Sequence, residues 1–314
     1  MITINGRDYK LIDAHFHIWN RMHGFRFKDV PSEPIGSGRV RVGTREYQFM
    51  APSFTETTSP LEALEVEMDN CGVDKGVLLQ TPCYGEQIDY VARAMKKWPG
   101  RFATTALANP CYGKDRFIQE ADRAIQQENC RGIKFEMPDT PFEADAAEYQ
   151  YIFEYIQEHG LFCMVDMGWG QGKFDYPIQA YEKTVKKYRD LTFVFPHLGV
   201  SRLWDPAEAP NFETLKRTLA LMELNDNVWF DCAGIPMLTG EYEEYPYSIG
   251  NAALKVVHKQ IGVHHLMFGT DYPGSTPYCT YKQSIDHIVR HCHFFRENEW
   301  TLFLSKNAEK LWFS

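Results

Sequence analysis

The 314-residue chain has no run approaching the roughly 18–20 apolar residues that a membrane-spanning helix needs. Its first ten residues lack the apolar core of a signal peptide. The expectation is a cytoplasmic protein with no membrane partner. Basic residues are also scarce: 33 Lys and Arg stand against 42 Asp and Glu, a formal net charge of -9 at pH 7. A nucleic-acid binder is expected to present a basic face, so no nucleic-acid partner is expected either. The eight cysteines, at 71, 83, 111, 130, 163, 232, 279 and 292, include no Cys-x-x-Cys pair. They read as reduced thiols that fill apolar space rather than as a disulfide framework or nucleophiles. There is no internal repeat, no low-complexity tract and no convincing linker, and no Gly-x-Gly-x-x-Gly follows the first apolar run.

What the chain does have is alternation. Eight short apolar runs, at 11–18, 76–81, 102–108, 132–135, 161–167, 191–196, 228–233 and 265–269, are separated by amphipathic segments of helical period. The helical segments lie at 60–71, 87–98, 115–128, 148–159, 177–188, 212–224, 251–261 and 281–291. Runs that are continuously apolar suggest strands buried on both faces, as in a parallel sheet. Eight βα units in one chain of this length predict a single α/β domain over residues 1–314, a (β/α)8 TIM barrel, with a doubly wound open sheet as the alternative.

One connection breaks the pattern. Residues 19–59 separate the first run from the first helix, where a βα loop is usually two to six residues. The segment holds Arg21, His23, Arg26, Lys28, Arg39, Arg41 and Arg45, a local basic excess in an acidic chain. It reads either as a solvated excursion that contributes to a dimer interface or as a lid over the barrel mouth, residues 20–59. A lid would bring an arginine, such as Arg21, to clamp a substrate carboxylate.

In a barrel the chemistry gathers where strands end. The first run ends Asp13-Ala14-His15-Phe16-His17, and alternate side chains of a strand share a face, so His15 and His17 project together. The fourth ends with Lys134 and Glu136, the fifth with Asp166, the sixth with His197, the seventh with Asp231 and the eighth with Asp271. A lone buried histidine is most often a hydrogen-bonded core residue, and an aspartate ending a strand is often a helix N-cap. Several of them at one end of one barrel point instead to a divalent metal site. His15, His17 and Asp271 would be the ligands, with Asp166 or His197 completing the set. Asp271 would act as general base beside the ion, and Lys134 would either pair with Glu136 or Asp166 or hold a substrate oxyanion. Trp169, with Trp19 and Trp204, lies near strand ends where an aromatic or carboxylated substrate would sit.

At these residues the chain resembles the amidohydrolase superfamily, in its amidohydrolase-related branch of TIM-barrel metal-dependent hydrolases and non-oxidative decarboxylases. The segments that carry the resemblance are Ile12-Asp13-Ala14-His15-Phe16-His17, Gly132-Ile133-Lys134, Pro196-His197-Leu198-Gly199, Phe268-Gly269-Thr270-Asp271-Tyr272-Pro273 and Asn307-Ala308-Glu309-Lys310-Leu311. The resemblance implies one divalent ion, zinc or manganese, held by His15, His17 and Asp271, with His197 as the polarising or proton-transferring imidazole. It also implies a homodimer. The branch usually has a metal-binding histidine at the end of strand five, where this chain has Asp166.

Two reactions share such a site: hydrolysis of a small cyclic ester, lactone or amide, and non-oxidative decarboxylation of an aromatic or enoic acid. In both, the partner is a small carboxylated molecule, with Arg21, Trp169 and Glu136 as substrate contacts. A barrel that binds a small anion without catalysis is a third reading.

Overall fold

A computed structural model of the protein describes residues 1–128, 130–168, 178–200, 211–239 and 243–314. The chain starts with a hairpin, β1 (Ile2–Ile4) and β2 (Arg7–Tyr9). It turns on Asn5-Gly6, both at positive φ, as a two-residue hairpin loop requires. β3 (Ile12–Phe16) then opens the barrel. Between β3 and the first helix, four short strands form a separate antiparallel sheet in chain order: β4 (Phe25–Arg26), β5 (Val30–Gly36), β6 (Arg39–Val42) and β7 (Arg45–Gln48).

From there βα units repeat. β8 (Lys75–Leu78), β9 (Phe102–Ala106), β10 (Gly132–Glu136), β11 (Phe162–Asp166), β12 (Phe193–Phe195), β13 (Val228–Asp231) and β14 (Leu266–Met267) join β3 in one eight-stranded parallel sheet of sequential order. The intervening helices include α1 (Leu61–Cys71), α2 (Ile88–Lys97), α3 (Lys114–Glu128), α4 (Gln150–Glu158), α5 (Ile178–Lys187) and α6 (Glu213–Leu219). They continue as α7 (Ile235–Thr239), α8 (Ser248–Ile261) and α9 (Tyr281–His291), followed by α10 (Glu297–Thr301) and α11 (Asn307–Trp312). The sheet closes on itself through backbone bonds from Ala14 N to Phe268 O (2.9 Å) and from Asp271 N to His15 O (2.8 Å). The expected TIM barrel is thus the fold. The eight cysteines are all free. Among the described residues no helix is long and apolar enough to cross a membrane.

The barrel interior is layered. Ile12, Ala14, Val77, Leu79, Met164, Val194, Trp229 and Met267 form an apolar layer, sealed by Leu311 and Trp312 of α11. Above it, toward the C-terminal ends of the strands, the buried side chains become polar: His15, His17, Lys134, Glu136, Asp166, His197, Asp231 and Asp271. β3 serves both layers by an irregularity. Its register with β8 shifts between Asp13 and Phe16, so Ile12 and Ala14 face inward before the shift and His15 and His17 after it. Bulges of this kind re-aim side chains beside functional sites.

Asp13, between the inward-facing Ile12 and Ala14, points outward by strand alternation and fastens the seam. Its buried carboxylate accepts from His15 N (3.1 Å), Thr270 N (3.0 Å), Thr270 Oγ1 (2.6 Å) and Tyr281 OH (2.9 Å). The 19–59 excursion is closed at its base by reciprocal backbone bonds between Trp19 and Ser59. It has a small core of its own, in which Trp19 stacks on Tyr84 at 4.7 Å. It is fastened to the loops after β10 and β14: Phe27 N donates to Asp139 Oδ1 (3.0 Å) and Ala51 N to Thr276 Oγ1 (2.9 Å).

Replacing Asp13 with Ala strands four buried donors, each costing about 1–3 kcal/mol when unsatisfied. Asp13→Ala is therefore expected to lose about 3 kcal/mol or more in urea unfolding, and a loss below about 1 kcal/mol would contradict the seam's role.

Candidate active site

Three histidines meet in the polar layer, and each is oriented in the same way. His15 Nδ1 lies 3.0 Å from Asp231 Oδ2, His17 Nδ1 lies 2.9 Å from Leu79 O, and His197 Nδ1 lies 2.9 Å from Ala233 O. A carbonyl or carboxylate oxygen only accepts, so each Nδ1 carries a proton and each Nε2 points into the site. Tyr84 OH, 2.7 Å from His17 Nδ1, also donates to Leu79 O and braces that ring. His17 Nε2 ends 3.1 Å from Asp271 Oδ1 and His15 Nε2 3.6 Å from the same atom. Asp271 is held there by a backbone at φ 61, and His197 and Leu198 by φ values of 56 and 57, local strain of the kind that persists at functional sites.

The electrostatics divide the site in two. Burial, with the neighbouring His197, holds His15 well below the ordinary imidazole range, so it is neutral. Burial opposes ionisation of Asp271, but the surrounding imidazoles of His17, His197 and His15 outweigh it and keep the carboxylate charged. On the other side runs a ladder of alternating charge. Lys134 Nζ is 2.8 Å from Glu136 Oε1 and 3.3 Å from Asp166 Oδ2, and the same Asp166 oxygen is 3.3 Å from His197 Nε2. Burial disfavours a charged His197, yet Asp166 overrides it and pushes the imidazole up to about 10. Burial likewise opposes charge on Asp166, which Lys134 and His197 hold below the usual carboxylate range.

A model of the amidohydrolase family matches residues 12–313. The chain belongs to the amidohydrolase family. No curated protein matches it. Among solved structures, it is similar to an amidohydrolase from Burkholderia multivorans with bound zinc, at 17% identity, a TM-score of 0.70, and coverage of 96% of this chain and 98% of that one. It is also similar to a probable 2-pyrone-4,6-dicarboxylic acid hydrolase from Acinetobacter baumannii with citric acid bound, at 16% identity and a TM-score of 0.68, over 96% of this chain and 98% of that one. A third similarity is to 5-carboxyvanillate decarboxylase from Sphingomonas paucimobilis, at 17% identity and a TM-score of 0.58, over 81% of this chain and 84% of that one.

In this amidohydrolase, candidate ligand atoms of His15, His17 and Asp271 all lie within 4.8 Å of one another, and so do those of His15, His197 and Asp231. The first set suits a cation. With each Nδ1 turned to an acceptor on the barrel wall, the Nε2 atoms of His15 and His17 converge on one ionised carboxylate oxygen, the nitrogen and oxygen donors that a divalent ion takes. His15 Nε2 and Asp271 Oδ2 are buried with no hydrogen-bond partner. The layer's local balance agrees: Glu136, Asp166, Asp231 and Asp271 are buried around two cations, Lys134 and the protonated His197.

Asp166, expected to complete the ligand set, stands with Lys134 and His197 and belongs to neither group of converging ligands. Glu136 is Lys134's partner, with its second oxygen unbonded. Arg21 is exposed, and its carbonyl accepts from Gln87 Nε2 (2.8 Å). Arg26 is the arginine of the excursion that turns inward, paired with buried Asp139 at 2.9 Å. Trp169 and Trp204 lie outside the described residues. Sequence reasoning gave no task to Asp231 or Tyr84. Asp231's place at the end of a strand was the only available signal, since its partner His15 is 216 residues away.

With Asp166 neutralised as Asp166→Asn, the largest influence raising His197 is lost while Asp271 and Asp231 remain, so its pKa is expected to fall from about 10. In metal-free protein, NMR titration should then show a lower His197 midpoint in the variant than in the wild type. An unchanged midpoint would refute the ladder.

Proposed function

We propose that this amidohydrolase is a metal-dependent hydrolase of a small carboxylated, cyclic or aromatic substrate, with one divalent ion, zinc or manganese, held by His15, His17 and Asp271. The observation that carries the reading is the convergence of two Nε2 atoms on one buried carboxylate. Such an ion, when bound, supplies Lewis acidity that polarises a carbonyl and makes a nearby water more acidic. The chain's residues supply the rest. Asp271 is ionised, and its second oxygen has no partner, so it can take the proton from the attacking water. His197 holds a proton that it can deliver to the oxygen or nitrogen released when the acyl bond breaks. Lys134 places an ammonium on the opposite wall, within reach of a substrate anion while Glu136 and Asp166 hold it.

The excursion over residues 19–59 serves in this reading as a lid, and Arg26 rather than Arg21 is its inward cation. The bound citric acid of the Acinetobacter baumannii structure supports a polycarboxylate in such a barrel. The decarboxylase among the similar structures keeps carbon dioxide release as the second reading, because the same proton on His197 could go to carbon.

Purified protein is expected to hold one divalent ion per chain by elemental analysis, and His17→Ala to lose it. Asp271→Asn should lower kcat by about 10²–10⁴-fold on whichever lactone or carboxylated aromatic proves to be turned over. Ring opening without carbon dioxide release supports hydrolysis, and release of carbon dioxide transfers the assignment to decarboxylation. Full activity after exhaustive chelation would overturn the metal mechanism.

A further inference from the structure

The turn after β13 supplies none of the proposed ligands, yet it touches two of the three histidines. Asp231 is buried, and its two oxygens have separate tasks. Oδ2 faces His15 Nδ1 at 3.0 Å. Oδ1 accepts from the backbone N–H of His197 (3.0 Å) and of Ala233 (3.0 Å). Two residues on, Ala233 O receives the His197 Nδ1 proton at 2.9 Å. Gly234, at φ +71, then passes so close that a Cβ there would sit 3.0 Å from His197 Nδ1 and 3.3 Å from Asp271 Oδ2. Residues 231–234 thus hold both the backbone and the ring of His197, and the ring of His15.

We propose that Asp231 is a positioning residue that sets the tautomer of His15 with one oxygen and the placement of His197 with the other. An oxygen opposite Nδ1 forces the proton onto that nitrogen and leaves Nε2 as a lone-pair donor aimed at Asp271. The Oδ1 bonds pin His197 at φ 56, a backbone state that a residue with a side chain rarely adopts unless its surroundings impose it. One carboxylate therefore joins the face of the site assigned to the ion with the face assigned to proton transfer. The inference rests on the metal reading only where it concerns affinity, and the tautomer itself needs no ion.

Asp231→Asn separates the two tasks. The two backbone N–H groups require the amide oxygen on their side, so the NH2 turns toward His15. His15 Nδ1 must then accept, and its proton moves to Nε2. The fold and the hold on His197 are retained, while the ligand atom of His15 is blocked. The test is 15N-edited NMR of the histidine rings in metal-free protein, together with zinc titration of wild type and variant. The expected result is Nδ1–H on His15 in the wild type, Nε2–H in Asp231→Asn, and zinc binding weakened by about 10–100-fold. A variant with the wild-type tautomer and wild-type zinc affinity would overturn the proposal. So would a wild-type His15 protonated on Nε2, a measurement that stands even if the variant fails to fold. A wild-type His15 with Nδ1–H in a protein that takes up no zinc upholds Asp231's role and removes the metal reading instead.

Discussion

Burying several imidazoles and carboxylates within a few ångströms of one another is costly unless each proton and each charge has a defined partner. The site depends on how that requirement is met. Every Nδ1 of His15, His17 and His197 is committed to an oxygen of the barrel wall, namely Asp231, Leu79 and Ala233. That commitment directs the three Nε2 atoms inward and fixes what each can do. His15 and His17 meet the Asp271 carboxylate, a set of electron-pair donors that calls for a cation. His197 meets Asp166 and becomes a cation itself.

The asymmetry follows from which charges are neighbours. Asp166 lies between Lys134 and His197, so its negative charge is stabilised and in turn keeps His197 protonated. Asp271 faces the Nε2 atoms of His17 and His15 with one oxygen, and its second oxygen is free of hydrogen bonds. Two aspartates, one ending β11 (Phe162–Asp166) and one just beyond β14 (Leu266–Met267), thereby sit in opposite surroundings. One keeps a proton on a neighbour, and the other, in the proposed mechanism, takes one from water. The fold supports this through Asp13, whose four donors close the seam between β3 and the segment carrying Asp271.

Much of this was legible in the sequence because barrel strands are buried on both faces and announce themselves as apolar runs. The run at 132–135 became β10 (Gly132–Glu136), and its Lys134 and Glu136 share the inward face as their spacing implied. Other features follow from contacts that spacing does not encode. Simple alternation along the first strand would place Ala14 and His15 on opposite faces, whereas the register shift between Asp13 and Phe16 turns both inward. The excursion's basic excess was visible, but which arginine turns inward depends on Asp139, 113 residues away from Arg26. Its four-stranded sheet was missed because those strands are short and largely exposed. Asp166 was recognised as a site residue, and its pairing with Lys134 was among the expected alternatives. That the same oxygen also faces His197 depends on the assembled barrel, which brings the ends of two strands together.

The central claim is that His15, His17 and Asp271 share one divalent ion while Asp166 does not. A crystal structure of zinc-loaded protein with anomalous scattering at the zinc edge tests it most directly. The account predicts a peak about 2.0–2.2 Å from His15 Nε2, His17 Nε2 and an Asp271 oxygen, with Asp166 still between Lys134 and His197. A peak on Asp166 with Asp271 left uncoordinated, or no peak in the barrel at all, would contradict it.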